Sequence, residues 1–110
     1  MLSALGSWAL AFFFTQLFEM PLYWRASKSL QVGFFASAMT HPVVWFVFPV
    51  LMDFGVGYVP MVVLAELFAV GVEAAWLHFN RVPRALLWSL AANGFSLSCG
   101  LVLRALFGFP

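Results

Sequence analysis

Charge is scarce in this chain. Its 110 residues include five Lys and Arg, four Asp and Glu and two His, so charged side chains make up 8% and the formal net charge is +1. A nucleic acid needs a basic footprint that so few cations cannot build, and no nucleic-acid partner is expected. Cysteine is equally sparse. Cys99 stands alone, so no intrachain disulfide and no paired-cysteine metal site can form. A small residue in an apolar run, it is expected to serve packing. The first residues, Met1-Leu2-Ser3-Ala4, hold no Lys or Arg. A secretory signal begins with a positive stretch ahead of a short apolar core, so the first apolar run is expected to be a retained helix. Leu2 stands where myristoylation requires glycine, and no prenylation motif ends the chain. HExxH and the paired Glu-x-x-His motifs of diiron bundles are missing too. Glu73 and His78, five residues apart, point about 140° away from one another on a helix. No catalytic role, metal or cofactor is expected.

Apolar surface fills the chain instead. It is 65% hydrophobic and 19% aromatic, with 14 Phe, and its mean hydropathy is +1.01. A helix needs about 20 apolar residues to cross a bilayer core, so four such helices would consume nearly the whole chain. The expectation is one integral membrane domain over residues 1–110, an all-α, polytopic four-transmembrane-helix bundle. Its spans are expected at about 2–24, 30–52, 57–79 and 83–103. The short loops make consecutive helices antiparallel neighbours. Pro60 and Pro83 fall in first turns, where a missing N–H does no harm, and Asn80 is placed to cap span four. Pro21, Pro42 and Pro49 fall within spans and should kink or break them. Span two holds two of these, so it is expected to be kinked or broken at Pro42/Pro49, or partly re-entrant. Pro42 also frees the Ala38 carbonyl beside His41, whose ring N–H can satisfy it.

Loop charges suggest a direction. Arg25 and Lys28 lie in the first loop and Arg81 and Arg84 in the third, against Asp53 alone in the second. The positive-inside rule then places both termini outside, N-out/C-out, with Arg104 the one dissenting charge. Tyr23, Trp24 and Trp76 would form an inner aromatic belt and Tyr58 an outer one. The pattern suits a bacterial inner membrane.

The remaining polar residues gather on helix faces. Glu66 and Glu73, seven apart, are about 20° from eclipsed. Ser89, Asn93, Ser96 and Gly100 follow one stripe. Gly33, Ser37 and His41 share a face with Thr40 beside it, and Thr15 and Gln16 precede Glu19 by about a turn. Small residues let membrane helices approach, and polar ones hydrogen-bond across the gap. Ser37, Ser89, Ser96 and Gly100 are therefore expected to pack helix against helix. Depth counting sets Glu19 and Glu73 at an inner level and His41, Glu66 and Asn93 near the midplane. A carboxyl in hydrocarbon costs a few kcal/mol or more, so these five residues are the candidate ion, proton or partner site. Two carboxylates at one depth cannot both ionise cheaply, and they would share a proton or bind a cation. The blander readings are interhelical glue for the hydroxyls and Asn93, an Arg25-paired or protonated Glu19, and an interfacial His78.

Chain length, four-span layout and a glutamate at Glu19 resemble the small multidrug-resistance transporters, which are dimers with one membrane glutamate in the first helix. Glu66, Glu73 and the Thr40-His41-Pro42 break depart from that pattern. Two functions are therefore expected to compete. One is a small transporter or channel-like protein, homo-oligomeric in the bilayer, coupled to protons or a cation through its carboxyls. The other is a noncatalytic subunit or assembly factor of a larger membrane complex.

Overall fold

The structure is a computed structural model that describes residues 3–108. The expected start of the first span, at Leu2, lies outside the described residues. Within them the chain is all helical. Helix α1 runs Ala4–Ser27, α2 Leu30–Pro42, α3 Tyr58–Phe79 and α4 Ala85–Phe107. Between α2 and α3 a π-helical turn, Val43–Val47, passes into a 3-10 stretch, Phe48–Phe54.

Local chemistry sets most boundaries. Ser3 caps α1 by accepting from Gly6 N–H at 3.0 Å. The helix ends where Lys28 turns left-handed (φ 61°) and its N–H reaches the Trp24 carbonyl. Ser29 then caps α2, accepting from Val32 N–H at 3.2 Å. Pro21 does not break α1, which continues through it. It removes only one backbone donor from a helix held on both sides. Pro42 behaves as expected. The regular α2 ends there, with Val43 N–H bonded to the Thr40 carbonyl, and the π-helical turn that follows closes on a wide bond from Phe48 N–H to the Val43 carbonyl. Pro49 fits the first turn of the 3-10 stretch, where its missing donor matters least. Gly55, at φ 92°, stops the segment.

Two boundaries differ from expectation. Asn80 does not cap the fourth helix. It closes α3, and its side-chain amide donates to the Trp76 carbonyl at 2.8 Å. Arg81 and Arg84, both left-handed (φ 62° and 57°), use up the intervening chain. Helix α4 therefore begins at Ala85, with Pro83 in the turn before it. At the other end α4 continues through Arg104 to Phe107, absorbing the apolar tail expected to lie beyond the span.

Three segments are long and apolar enough to cross a membrane: Leu30–Phe54, Tyr58–Phe79 and Ala85–Phe107. Helix α1 has 24 residues, about 36 Å at helical rise, but Gln16 and Glu19 dilute its apolar character. This architecture is consistent with an integral membrane protein. Large apolar side chains cover the outside, as with Phe13, Val59, Leu67 and Phe79, which is the inverse of a water-soluble surface.

The helices form a ring in which α1 packs on α2 and α4, and α3 on α2 and α4. The bundle is not equally tight along its length. At the end bearing the first and third loops, Tyr23, Ala36, Leu77, Val82, Ala85 and Ala92 make a closed core. Gly33 permits this closeness, since a Cβ there would sit 3.2 Å from Tyr23 Cβ. Trp76 adds a cross-tie, its indole N–H donating to the Val32 carbonyl at 3.0 Å. The other half is looser and encloses a cavity of about 510 Å³. Gly100 lines that cavity. A Cβ there would meet nothing within 4 Å, so the expectation that Gly100 mediates close helix packing is corrected.

This contrast is testable by thermal unfolding in detergent. Gly33→Leu should lose about 1–3 kcal/mol through overpacking. Gly100→Ala should cost nothing and can gain a few tenths of a kcal/mol from helix propensity. Equal losses at the two glycines would contradict the assigned tight and loose halves.

Candidate functional site

Helical spacing carries the site. On α1, Glu19 and Tyr23 are one turn apart. On α2, Ser37 and Thr40 share a face, and on α4 Ser89, Asn93 and Ser96 do so. The ring of helices turns these faces, together with Glu73 of α3, toward one another. Glu19 and Glu73 are 2% and 1% exposed. Ser37 Oγ donates to Glu19 Oε1 at 2.6 Å, and Ser96 Oγ donates to Glu19 Oε2. Thr40 Oγ1 donates to Glu73 Oε2 at 2.6 Å. Tyr23 Oη donates to Glu73 Oε1, which also accepts from Asn93 Nδ2 at 3.1 Å. Asn93 Nδ2 further reaches the Ser89 carbonyl at 2.9 Å. Ser89 Oγ itself donates to the Val70 carbonyl at 2.8 Å, a direct α4–α3 tie. One polar layer thus joins all four helices.

Among the described residues neither carboxyl makes an ion pair, and Arg25, the cation considered for Glu19, is exposed. The two carboxyls lie within one another's electrostatic reach, and Glu66 is close enough to act on Glu19. Five neutral donors can hold a carboxylate or orient a shared proton, but they do not cancel a charge. Two anions in so dry a layer would repel strongly, so a proton or a bound cation must accompany them. No three His, Cys, Asp or Glu residues gather as metal ligands among the described residues.

The sequence-level grouping by depth is corrected in part. Asn93 joins Glu73, not a separate central layer. Glu66 is half-buried on the cavity wall and has no hydrogen-bond partner among the described residues. His41 also lines the cavity, but among the described residues it hydrogen-bonds to neither Glu66 nor Asn93. It sits in an aromatic box, with ring centroids 5.4 Å from Phe12, 6.2 Å from Trp8 and 6.1 Å from Trp45. Its Nδ1 is buried without a partner, so it does not satisfy the carbonyl that Pro42 frees. Ser37 and Ser96, expected to pack helices together, donate across the α2–α1 and α4–α1 contacts to Glu19. Ser89 bridges α4 to α3.

Sequence reasoning missed Tyr23, placing it in an interfacial belt. It is 0% exposed and donates to Glu73. Its position one turn after Glu19 was the available signal. The cavity mouth was missed too. There Arg104 donates to Tyr58 Oη at 2.8 Å, with its guanidinium 5.4 Å from the Tyr58 ring centroid. The dissenting charge in the orientation count is thereby held by an aromatic of α3.

The chain matches no known protein-family model, no curated protein and no solved structure.

Unfolding measurements can separate the buried layer from the mouth. Tyr23→Phe removes one donor from a buried carboxyl. It should cost about 1 kcal/mol or somewhat more, at the upper end of membrane interhelical hydrogen bonds. Arg104→Gln, at an exposed contact, should cost about 0.5 kcal/mol or less. A larger loss at Arg104 than at Tyr23 would contradict the assignment of the buried layer as the stabilising one.

Proposed function

We propose that the chain is a small four-span membrane transporter or channel-like protein that moves protons or a cation by way of Glu19 and Glu73. The observation that carries this reading is the pair of buried carboxyls, without a balancing cation among the described residues, at the floor of a cavity of about 510 Å³. A group that must take up a proton or a cation, placed where a solute can arrive, is the minimum apparatus of coupled transport. Glu66, unbonded on the cavity wall, is the first carboxyl that an arriving cation meets. Donors on three different helices make the charge state of the layer felt across the bundle. The protein acts without catalysis or cofactor, most simply as a homo-oligomer.

The same reading has α1 as the first of four spans. Its length suffices, and its acidic residue is turned inward, away from lipid. Arg25, Lys28, Arg81 and Arg84 then face the cytoplasm, and both termini face outward across a bacterial inner membrane. Single cysteines replacing Gln31 and Gly57, in a Cys99→Ser background, should react with impermeant reagents from opposite sides. Reaction of both from one side would defeat this topology.

A second reading is supported by the closed core at the loop-one and loop-three end. The cavity lining reaches Glu19, Thr40, Glu73 and Asn93, while Tyr23, Leu77 and their neighbours pack closely into a core that is absent from that lining. An accessory subunit of a larger membrane complex would need no path through that core.

Flux decides between them. Purified protein in liposomes should carry protons or a monovalent cation. Glu73→Gln and Glu19→Gln should each abolish that flux while the bundle stays folded, because the amide keeps the shape and removes the titration. Glu66→Gln should slow flux without abolishing it. Glu73→Leu measures the structural contribution separately. Absence of flux in the parent, or unchanged flux in all the Gln variants, would remove the transport reading and leave the subunit reading.

A further inference from the structure

A groove on the outer side of α1 is distinct from the cavity. It is shallow and open, about 490 Å³ in volume, and is lined by Phe13, Leu17, Met20, Pro21 and Trp24 with Leu30 at the start of α2. The α1 residues recur at three- and four-residue intervals, so the groove follows one stripe along the helix. From Phe13 to Trp24 the stripe is about 16 Å long at helical rise. Half of a bilayer's hydrocarbon core is about 15 Å. The groove therefore has the length and polarity of one acyl chain in one leaflet. Gln16 borders it, but its amide is turned inward, donating to the Phe34 carbonyl at 3.1 Å.

The charge at the groove's end fits the other half of a lipid. Arg25 and Lys28 are exposed there, and Arg81 and Arg84 are exposed in the third loop at the same end of the bundle. Neither loop contains an acidic residue, and none of the four cations makes an ion pair among the described residues. The backbone adds an independent sign. Among the described residues the three non-glycine residues with positive φ are Lys28, Arg81 and Arg84. Glycine adopts that conformation freely and asparagine more readily than a long side chain. Yet cations occupy all three positions. Lys28 is also firmly presented: Ser27 Oγ donates to the Tyr23 carbonyl at 2.7 Å and accepts from Ser29 N–H at 3.2 Å. Trp24, 52% exposed, lies between the groove and this rim, a usual level for an indole near lipid headgroups.

We infer that the α1 groove and the loop-one rim together bind one anionic phospholipid, with an acyl chain along Phe13 to Trp24 and the phosphate on Arg25 and Lys28. The inference rests on the membrane-spanning reading and is independent of transport.

Native mass spectrometry of the full chain in mild detergent, titrated with phosphatidylglycerol and phosphatidylcholine of matched acyl chains, tests it. One phosphatidylglycerol per chain should be retained in preference to phosphatidylcholine. Arg25→Gln with Lys28→Gln should weaken phosphatidylglycerol retention about thirty-fold, roughly five-fold for each cation, and leave phosphatidylcholine unchanged. Arg81→Gln with Arg84→Gln, in the other loop, should weaken it far less. Met20→Trp, which fills the groove, should weaken both lipids, and Leu17→Trp serves the same purpose should that variant not fold. Equal retention of the two lipids overturns the inference, as do equal losses from the two loop pairs or indifference to the loop-one pair. A chain released from membranes without detergent would instead overturn the membrane reading itself.

Discussion

Two carboxyl groups taken out of water, with no cation beside them among the described residues, constrain everything else in this bundle. Each must be given donors, and the donors must come from different helices because one helix face cannot surround a carboxyl. Ser37 and Thr40 come from α2, Tyr23 from α1, and Asn93 and Ser96 from α4. Each of these bonds fixes the rotation of a helix about its own axis. The apolar surface cannot do that, because lipid accepts Phe, Leu or Val on any face, and hydrophobic burial does not drive membrane helices together. Rotational register here therefore depends on the polar layer and on the close approach of Gly33 to Tyr23.

Much of this was legible in the sequence, because its signals are local. Long apolar runs separated by charge and glycine mark helices, and two prolines in one run mark the broken second segment. The polar stripe on α4 follows directly from helical spacing. What was not legible depended on partners. Tyr23 reads as interfacial by its distance from Arg25, and only the fold shows that Glu73 waits across the bundle. Gly100 and Gly33 are alike in sequence, yet one faces open space and the other a neighbouring helix. Asn80 suits either a helix start or a helix end. Its role was settled by the length of the turn that the left-handed Arg81 and Arg84 consume. His41 reads as a partner for the carboxyls by depth, but depth does not give azimuth, and its ring lies among Trp8, Phe12 and Trp45 instead.

Replacing the layer with apolar side chains would be simpler and could be at least as stable, since buried charge costs more than it returns in many proteins. That a chain of so few charged residues keeps two carboxyls almost fully buried is an argument for use. Glue alone does not require a titratable group. Ser89, bonded to the Val70 carbonyl, and Trp76, bonded to the Val32 carbonyl, show that this chain builds interhelical bonds from neutral residues when bonding is all that is needed. A carboxyl adds the capacity to exchange a proton for a cation, and that capacity depends on access.

Access follows from the second segment. Up to Pro42, α2 is regular and lies close to its neighbours. Beyond it the wide turn at Val43–Val47 and the narrow one at Phe48–Phe54 replace a straight helix. Trp45 and Pro49 of that broken stretch form cavity wall, along with His41 just before the break. The cavity therefore lies in the half of the bundle where one side is irregular, and the closed core lies where all four sides are α-helical. Glu19 and Glu73 sit at the boundary between the two. Their donors Ser37 and Thr40 stand within a turn and a half of Pro42, on the last regular turns of α2. A shift of the break along α2 would move those donors and the cavity wall together, so solvent access and carboxyl bonding are tied to the same few residues.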